Sequence, residues 1–249
     1  MEWSNEKMSK SYSMHPLGDA AVLVQLGDGI TDAVHQRVVD FTQRVERNPF
    51  RGFIECVPSF TTLSIYYDPL TVQKPDDSSS TFDYVCSLLQ ERFKADEENG
   101  KQRSIQEVVD IPVCYGGDYG PDLEIVAEHN GITADEVIRL HSGQDYLVYA
   151  IGFAPGFPYI GGVPERIAAP RKQTPRPRIP AGSVGIAGTQ TGIYPIETPG
   201  GWQIIGRTPL ALFRPDRQPP TLLQGGQYIR FRPLDRAEYD RLREVKLCD

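Results

Sequence analysis

The sequence predicts two modules, an α+β two-layer sandwich of order ββαββα over residues 1–103 and an all-β barrel over residues 104–249. Three observations predict this. A length of 249 residues suits two domains of ordinary size. Glycine and proline are unevenly spread, with 5 of each in the first 103 residues against 18 and 16 in the remaining 146. Helical periodicity recurs up to His141 and then stops.

In the first half, Lys10 to His15 and Ala20 to Leu26 read as two strands around the turn Leu17-Gly18-Asp19, the second carrying the β-prone run AAVLVQL. Ile30, Val34, Val38, Phe41 and Val45 recur at helical spacing behind a Thr31 cap, and Asn48-Pro49 closes that pattern. Phe53 to Val57 and Thr61 to Tyr67 form a second strand pair. A second helix follows, with Phe82, Val85, Leu89 and Phe93 on its inward face. Each element has one apolar face to bury, so helices on one face of an antiparallel sheet satisfy them all. The polar stretch Ala95 to Arg103 then reads as a linker.

Glu107 to Tyr115 opens the second half as a strand. Pro121 to His129 and Thr133 to His141 read as short helices, the first with proline in its opening turn and the second with Thr133 and Glu136 in capping-box spacing. From Tyr146 to Phe231, short apolar runs alternate with Gly and Pro, the pattern of a barrel built of many short strands.

Composition narrows the function. With 26 Lys+Arg against 33 Asp+Glu the formal charge is −7, which argues against binding to a nucleic-acid backbone. The four cysteines form no C-x-x-C pair, so no zinc site or disulfide framework is suggested. Met1 to Lys10 lacks an apolar signal region and no run is long enough to span a bilayer, so a soluble cytoplasmic protein is expected. H-E-x-x-H, G-x-S-x-G, an EF-hand loop and a Walker loop are all absent.

The densest chemistry lies between Tyr149 and Pro209. Five cations, Arg166, Arg171, Lys172, Arg176 and Arg178, stand between Arg166 and Ile196 with no acidic side chain among them. A local positive field follows, suited to a carboxylate or phosphate that a guanidinium grips with both arms. A solvated Pro/Arg loop is the alternative. The run from Gly182 to Gly192 spaces its glycines, Gly188 among them, so that backbone N–H groups can approach a ligand or simply form hairpin turns. Gln190 within it offers a donor and an acceptor to an amide. His141 ends a helix, where it is a candidate general base or a cap. Phe153, Phe157, Tyr159 and Trp202 are candidate pocket walls, with plain core the better expectation for Phe153.

The runs GFAPGFPYIGG and PRKQTPRPRIPAGSVGIAGTQTGIYPIETPGGWQIIGRTPL, with PLGDAAVLVQLGD and FTTLSIYYDP nearer the N-terminus, resemble the allophanate hydrolase subunit 1 family, also called the 5-oxoprolinase B-subunit family. Nearly the whole chain after about residue 11 takes part in the likeness. The resemblance implies a cyclophilin-like barrel in the second module. It also implies a place in ATP-dependent opening of 5-oxoproline to glutamate. Its partners there would be the 5-oxoprolinase C subunit, itself a barrel, and a separate A subunit, with ATP as co-substrate of the complex. Residue by residue, His141 matches the family's H-S-G, Phe157 and Tyr159 its G-F-P-Y, Arg171 and Arg178 its basic segment, and Gln190 its G-x-Q-T-G. Trp202 and Arg207 match G-G-W…I-G-R-T, whereas Thr189, Thr198 and Gln227 depart from the pattern. These matches make His141 and Gln190 the expected catalytic pair, with Phe157, Tyr159, Arg171, Arg178, Gly188, Trp202 and Arg207 binding substrate.

One family member is an inhibitor of a sporulation sensor histidine kinase, so docking on that kinase's dimerisation helices is the alternative function. The family also resembles half of the carboxyltransferase unit of urea carboxylase. That biotin-dependent chemistry ranks last, since it needs a carrier segment on another polypeptide.

Overall fold

The computed structural model describes residues 12–72, 80–94 and 108–246. Lys10, Glu107 and the linker expected at Ala95 to Arg103 lie outside the described residues. The chain divides into two compact units, Met1–Ser104 and Ile105–Asp249.

In the first unit β1 (Ser13–Pro16), β2 (Ala21–Gln25), α1 (Asp32–Arg47), β3 (Phe53–Pro58), β4 (Thr62–Tyr67) and α2 (Thr81–Lys94) follow one another. The strands form one antiparallel sheet in the order β1-β2-β4-β3. Val22 and Val24 of β2 and Leu63, Ile65 and Tyr67 of β4 alternate onto the face that meets Val38, Phe41 and Val45 of α1 and Val85 and Leu89 of α2. Thr31 caps α1 by accepting from the Val34 amide at 3.3 Å. Ile30, expected on the inward face, precedes that cap and is 56% exposed, so the helical face begins one turn later than its apolar spacing suggests. His35 takes a buried position instead.

The second unit closes seven strands into a barrel in the order β10-β7-β6-β13-β5-β12-β9. They are β5 (Val108–Tyr115), β6 (Asp145–Ile151), β7 (Pro158–Gly161), β9 (Ser183–Ala187), β10 (Gln190–Ile193), β12 (Gln203–Arg207) and β13 (Tyr228–Pro233). Helices α3 (Leu123–Asn130) and α4 (Ala134–Ser142) join β5 to β6. Strands β8 (Arg176–Ile179) and β11 (Thr198–Gly200) pair with each other outside the barrel, and α5 (Arg236–Lys246) ends the described chain. The expected barrel span is therefore corrected in two ways: the ribbon of β8 and β11 is left out, and β5 enters through a parallel pairing with β13.

Alternation sorts the barrel side chains. Ile111 and Val113, Val148, Ile160, Val184 and Ile186, Ile193, Ile205, Ile229 and Phe231 belong to one buried cluster, which also takes in Val126 and Val137 from α3 and α4. The residues between them face outward. Pro121 does not open α3 as expected, because the helix starts at Leu123 with Asp122 as its cap. Thr133 caps α4 as its spacing suggests, accepting from the Glu136 amide. Helix α5 is unexpected from the sequence, although Asp235 and Glu238 form a reciprocal capping box at its start.

Candidate functional site on the barrel wall

Gln190 and Thr191 are neighbours on β10, so their side chains leave on opposite faces of the wall. Thr191 is fully buried and points inward, where its hydroxyl lies 3.0 Å from both His141 Nε2 and the Gly185 carbonyl. Only the hydroxyl can donate to that carbonyl, so it accepts from His141 Nε2–H. Nδ1 then accepts from the Tyr115 hydroxyl at 2.8 Å. Tyr115 and Thr191 sit on strands three apart in the closed order, so the imidazole spans the barrel interior. It also stacks on Phe231, centroid to centroid at 4.3 Å.

His141 is thus 0% exposed with both nitrogens occupied, and burial holds its pKa down at about 3. His141, expected to act on substrate with Gln190, is instead placed by the fold inside the barrel core, apart from Gln190, with both ring nitrogens hydrogen-bonded to barrel strands. It locks β10, which fixes Gln190 on the outer face.

The outer face carries a second cluster, in which Phe157, Tyr194 and Trp202 are buried together with Ile179, Ala187 and Ile204, and Tyr159 packs half-buried against them. Phe157 meets Tyr159, Tyr194 and Trp202 edge-on at 5.0, 5.3 and 5.6 Å. Glycine makes this possible. A Cβ on Gly192 would stand 2.8 Å from Phe157 Cζ and 3.0 Å from Trp202 Cζ3, and one on Gly161 would stand 2.5 Å from the Tyr149 ring. The glycines therefore let rings lie on the strands. Nor are their N–H groups held out to a ligand: Gly188 N–H donates to Ala169 O at 2.7 Å and Gly182 N–H to Tyr194 O at 2.7 Å. Gly188, expected to bind substrate, is the φ +59° residue of the turn between β9 and β10.

Gln190 and Gly192 occupy the same outward row, so the Gln190 amide stands one step along β10 from the rings over Gly192. Gln190 is half-buried and its amide has no hydrogen-bond partner among the described residues.

The basic segment is less bare than its sequence suggests. Arg166 pairs with Glu136, Lys172 and Arg176 with Asp122, and Arg178 with Glu197 at 3.8 Å. Only Arg171 of the five lacks a carboxylate within ion-pair distance among the described residues, and its guanidinium lies over the Trp202 ring at 5.8 Å from the centroid. Arg178, expected to bind substrate, is 82% exposed on β8 beside its glutamate. Arg207, also expected to bind substrate, lies over the Tyr119 ring at 5.2 Å. Tyr119 clusters with Cys114 and with Tyr239 of α5. The fold thus gathers Gln190, Phe157, Tyr159, Trp202 and Arg171 on one stretch of wall, and places His141, Arg178 and Arg207 elsewhere. With one uncommitted guanidinium this stretch does not suit a triphosphate, which needs several cations or a nest of free N–H groups.

Asp122 was missed and Phe153 was misplaced. Asp122 is a fully buried carboxylate that accepts from Arg176 at 2.6 and 2.8 Å, from the Ile204 amide at 2.7 Å and from Lys172 at 3.2 Å. Burial alone would raise its pKa, but Arg176, the Ile204 amide and Lys172 outweigh burial and hold it below the ordinary value. Phe153, expected in the core, is 65% exposed and adopts φ +67°, the one positive φ of a non-glycine residue among the described residues. No local sequence signal marks either one.

Among the described residues no helix is long and apolar enough to cross a membrane. The family model "Carboxyltransferase domain, subdomain C and D" matches residues 12–223. A protein of Bacillus subtilis (strain 168), named as the B subunit of 5-oxoprolinase, is 49% identical over 95% of this chain and 99% of its own length. One of the same name from Escherichia coli O157:H7 is 40% identical over 87% of this chain and 94% of its own. The crystal structure of TTHA0988 in space group P212121 superposes with a TM-score of 0.73 at 34% identity, covering 86% of this chain but only 40% of that longer one. The chain belongs to the carboxyltransferase-domain family of the 5-oxoprolinase B subunits.

Proposed function

We propose that this chain is the B subunit of an ATP-dependent 5-oxoprolinase, which opens 5-oxoproline to L-glutamate in the cytoplasm together with the A and C subunits. The relatives named as 5-oxoprolinase B subunits support the assignment, with identities of 49, 40 and 37% over most of the chain. In this reading the first unit is a ββαββα domain and the second a cyclophilin-like barrel. ATP is a co-substrate handled by another component of the complex.

The observation that carries the reading is the outward row of β10, where a primary amide without a hydrogen-bond partner among the described residues stands beside an aromatic wall topped by the Arg171 guanidinium, which has no carboxylate partner among them. 5-Oxoproline is a small lactam bearing a carboxylate. The Gln190 amide matches the lactam N–H and C=O, Tyr159 and Trp202 offer apolar surface to its ring, and Arg171 matches its carboxylate. Orientation by such groups is this chain's contribution, and proton transfer and phosphate chemistry fall to its partners. Mixing the chain with the A and C subunits and measuring ATP-dependent glutamate formation tests the reading. Activity that falls at least tenfold in Gln190→Ala is expected. A competent mixture that forms no glutamate, or full activity in the variant, defeats it.

Phe153 favours a second reading, inhibition of a sporulation histidine kinase by docking on its dimerisation helices. An exposed aromatic held at positive φ is what an anchor residue offers a partner. Autophosphorylation of such a kinase, measured with the wild-type chain and with Phe153→Gly, tests it. Equal inhibition by both, or inhibition by neither, sinks it.

A further inference from the structure

Arg171 sits between two pinned residues. On one side the Pro170 carbonyl accepts from Gln203 Nε2 at 2.9 Å, and on the other Lys172 N–H donates to Gly201 O at 2.7 Å. Lys172 is then tied again through its ammonium to Asp122, as is Arg176 at the start of β8. Asp122 is bound to β12 at both ends of its own residue: its N–H donates to Ile204 O at 2.8 Å and its carboxylate accepts from Ile204 N–H at 2.7 Å. One buried acid therefore fastens the loop of residues 170–176 to the strand that begins next to Trp202.

A fully buried carboxylate is costly unless every lone pair is used. Four donors satisfy this one. The clamp consumes two of the five cations of the basic segment, and Glu136 and Glu197 take two more. The charge that is left over belongs to Arg171, the residue whose backbone is held on both sides. An arginine on a loose loop loses backbone as well as side-chain freedom when it grips an anion, and a backbone already fixed on both sides removes the first of those losses.

We infer that Asp122 is a positioning residue, and that its clamp on Lys172 and Arg176 presents Arg171 over Trp202 to the carboxylate of a small anionic ligand. This rests on the reading of the wall as the 5-oxoproline site. Asp122 touches no ligand, so its loss acts on binding through Arg171.

The test is steady-state kinetics of the complex reconstituted with the A and C subunits, with 5-oxoproline as the varied substrate and Asp122→Asn, Arg171→Ala and the double variant compared. Asp122→Asn is expected to raise KM about tenfold while kcat falls much less, Arg171→Ala to raise KM similarly, and the double variant to add nothing further. Trypsin cleavage after Arg171 and Lys172 reports the loop directly and accelerates in Asp122→Asn. Should that variant fail to fold, Lys172→Met removes one arm and leaves the Arg176 pair, and a smaller KM rise with faster cleavage is expected of it. Faster cleavage with unchanged KM, or KM effects of Asp122→Asn and Arg171→Ala that multiply, overturns the inference while leaving the proposed activity intact. A wild-type complex that forms no glutamate overturns both.

Discussion

His141 Nε2 and Thr191 Oγ1 meet 3.0 Å apart inside the barrel, and the hydroxyl in turn donates to the Gly185 carbonyl. One side chain from α4 thereby links β5, through Tyr115, to β10 and its hairpin partner β9. Thr191→Val keeps the shape and removes the acceptor, leaving a buried imidazole N–H without a partner. That costs about 1–3 kcal/mol. Thr191→Ser keeps both bonds and loses one methyl, about 1 kcal/mol. Urea unfolding followed by Trp202 fluorescence in a Trp3→Phe background checks the order, wild type above Ser above Val.

The same burial makes the barrel sensitive to acid. His141 titrates at about 3 in the folded chain against an ordinary 6.5. Below pH 6.5 the unfolded chain therefore takes up a proton that the folded chain refuses. Stability linked to this group is complete above pH 6.5 and drains away as pH falls toward 3, by up to about 1.4 kcal/mol per pH unit. His141→Phe removes this contribution and, although less stable at neutral pH, shows a shallower decline between pH 6.5 and 4. Parallel declines in the two proteins count against a neutral buried imidazole.

How much of this was legible follows from range along the chain. Thr31 and Thr133 announce their helices because capping involves residues three apart. β5 looks like any strand, yet it closes the barrel against β13, whose partner residues lie 120 positions away, Val108 opposite Tyr228. The basic segment looks unopposed because its acids come from outside it, Asp122 being 54 residues from Arg176. His141 falls at a helix end as expected, but only the closed barrel decides that its ring points into the core. Gln190 and Trp202 share a face because strand alternation and a glycine place them there, and alternation can be read from sequence while a ring resting over Gly192 cannot.

That glycine gives a further expectation. A Cβ at position 192 collides with Phe157 and Trp202 at once, two rings that already pack edge-on. Gly192→Ala forces them off their positions, costing about 1–3 kcal/mol as overpacking does. The near-ultraviolet signal and Trp202 emission should change with it. Gly188→Ala, with open space around its Cβ, disturbs no ring and carries only the backbone cost of φ +59°, about 1 kcal/mol.

Phe153 should invert the usual ranking of alanine over glycine. Holding an L-residue at φ +67° costs about 1–2 kcal/mol, and this ring recovers part of that through its edge-on contact with Phe157 at 5.4 Å. Phe153→Ala keeps the strain and loses the contact, so it is expected to lose about 1 kcal/mol. Phe153→Gly loses the same contact but sheds the strain, and after the entropy cost of glycine it stays within about 1 kcal/mol of wild type. A ring serving the core would instead cost about 3–5 kcal/mol on truncation. Urea midpoints of the two variants decide, and alanine above glycine would mean that the loop does not hold the conformation described. With glycine at or above wild type, the aromatic ring at 153 does nothing for stability that glycine cannot do better, and its strain is explained by what it presents to a partner.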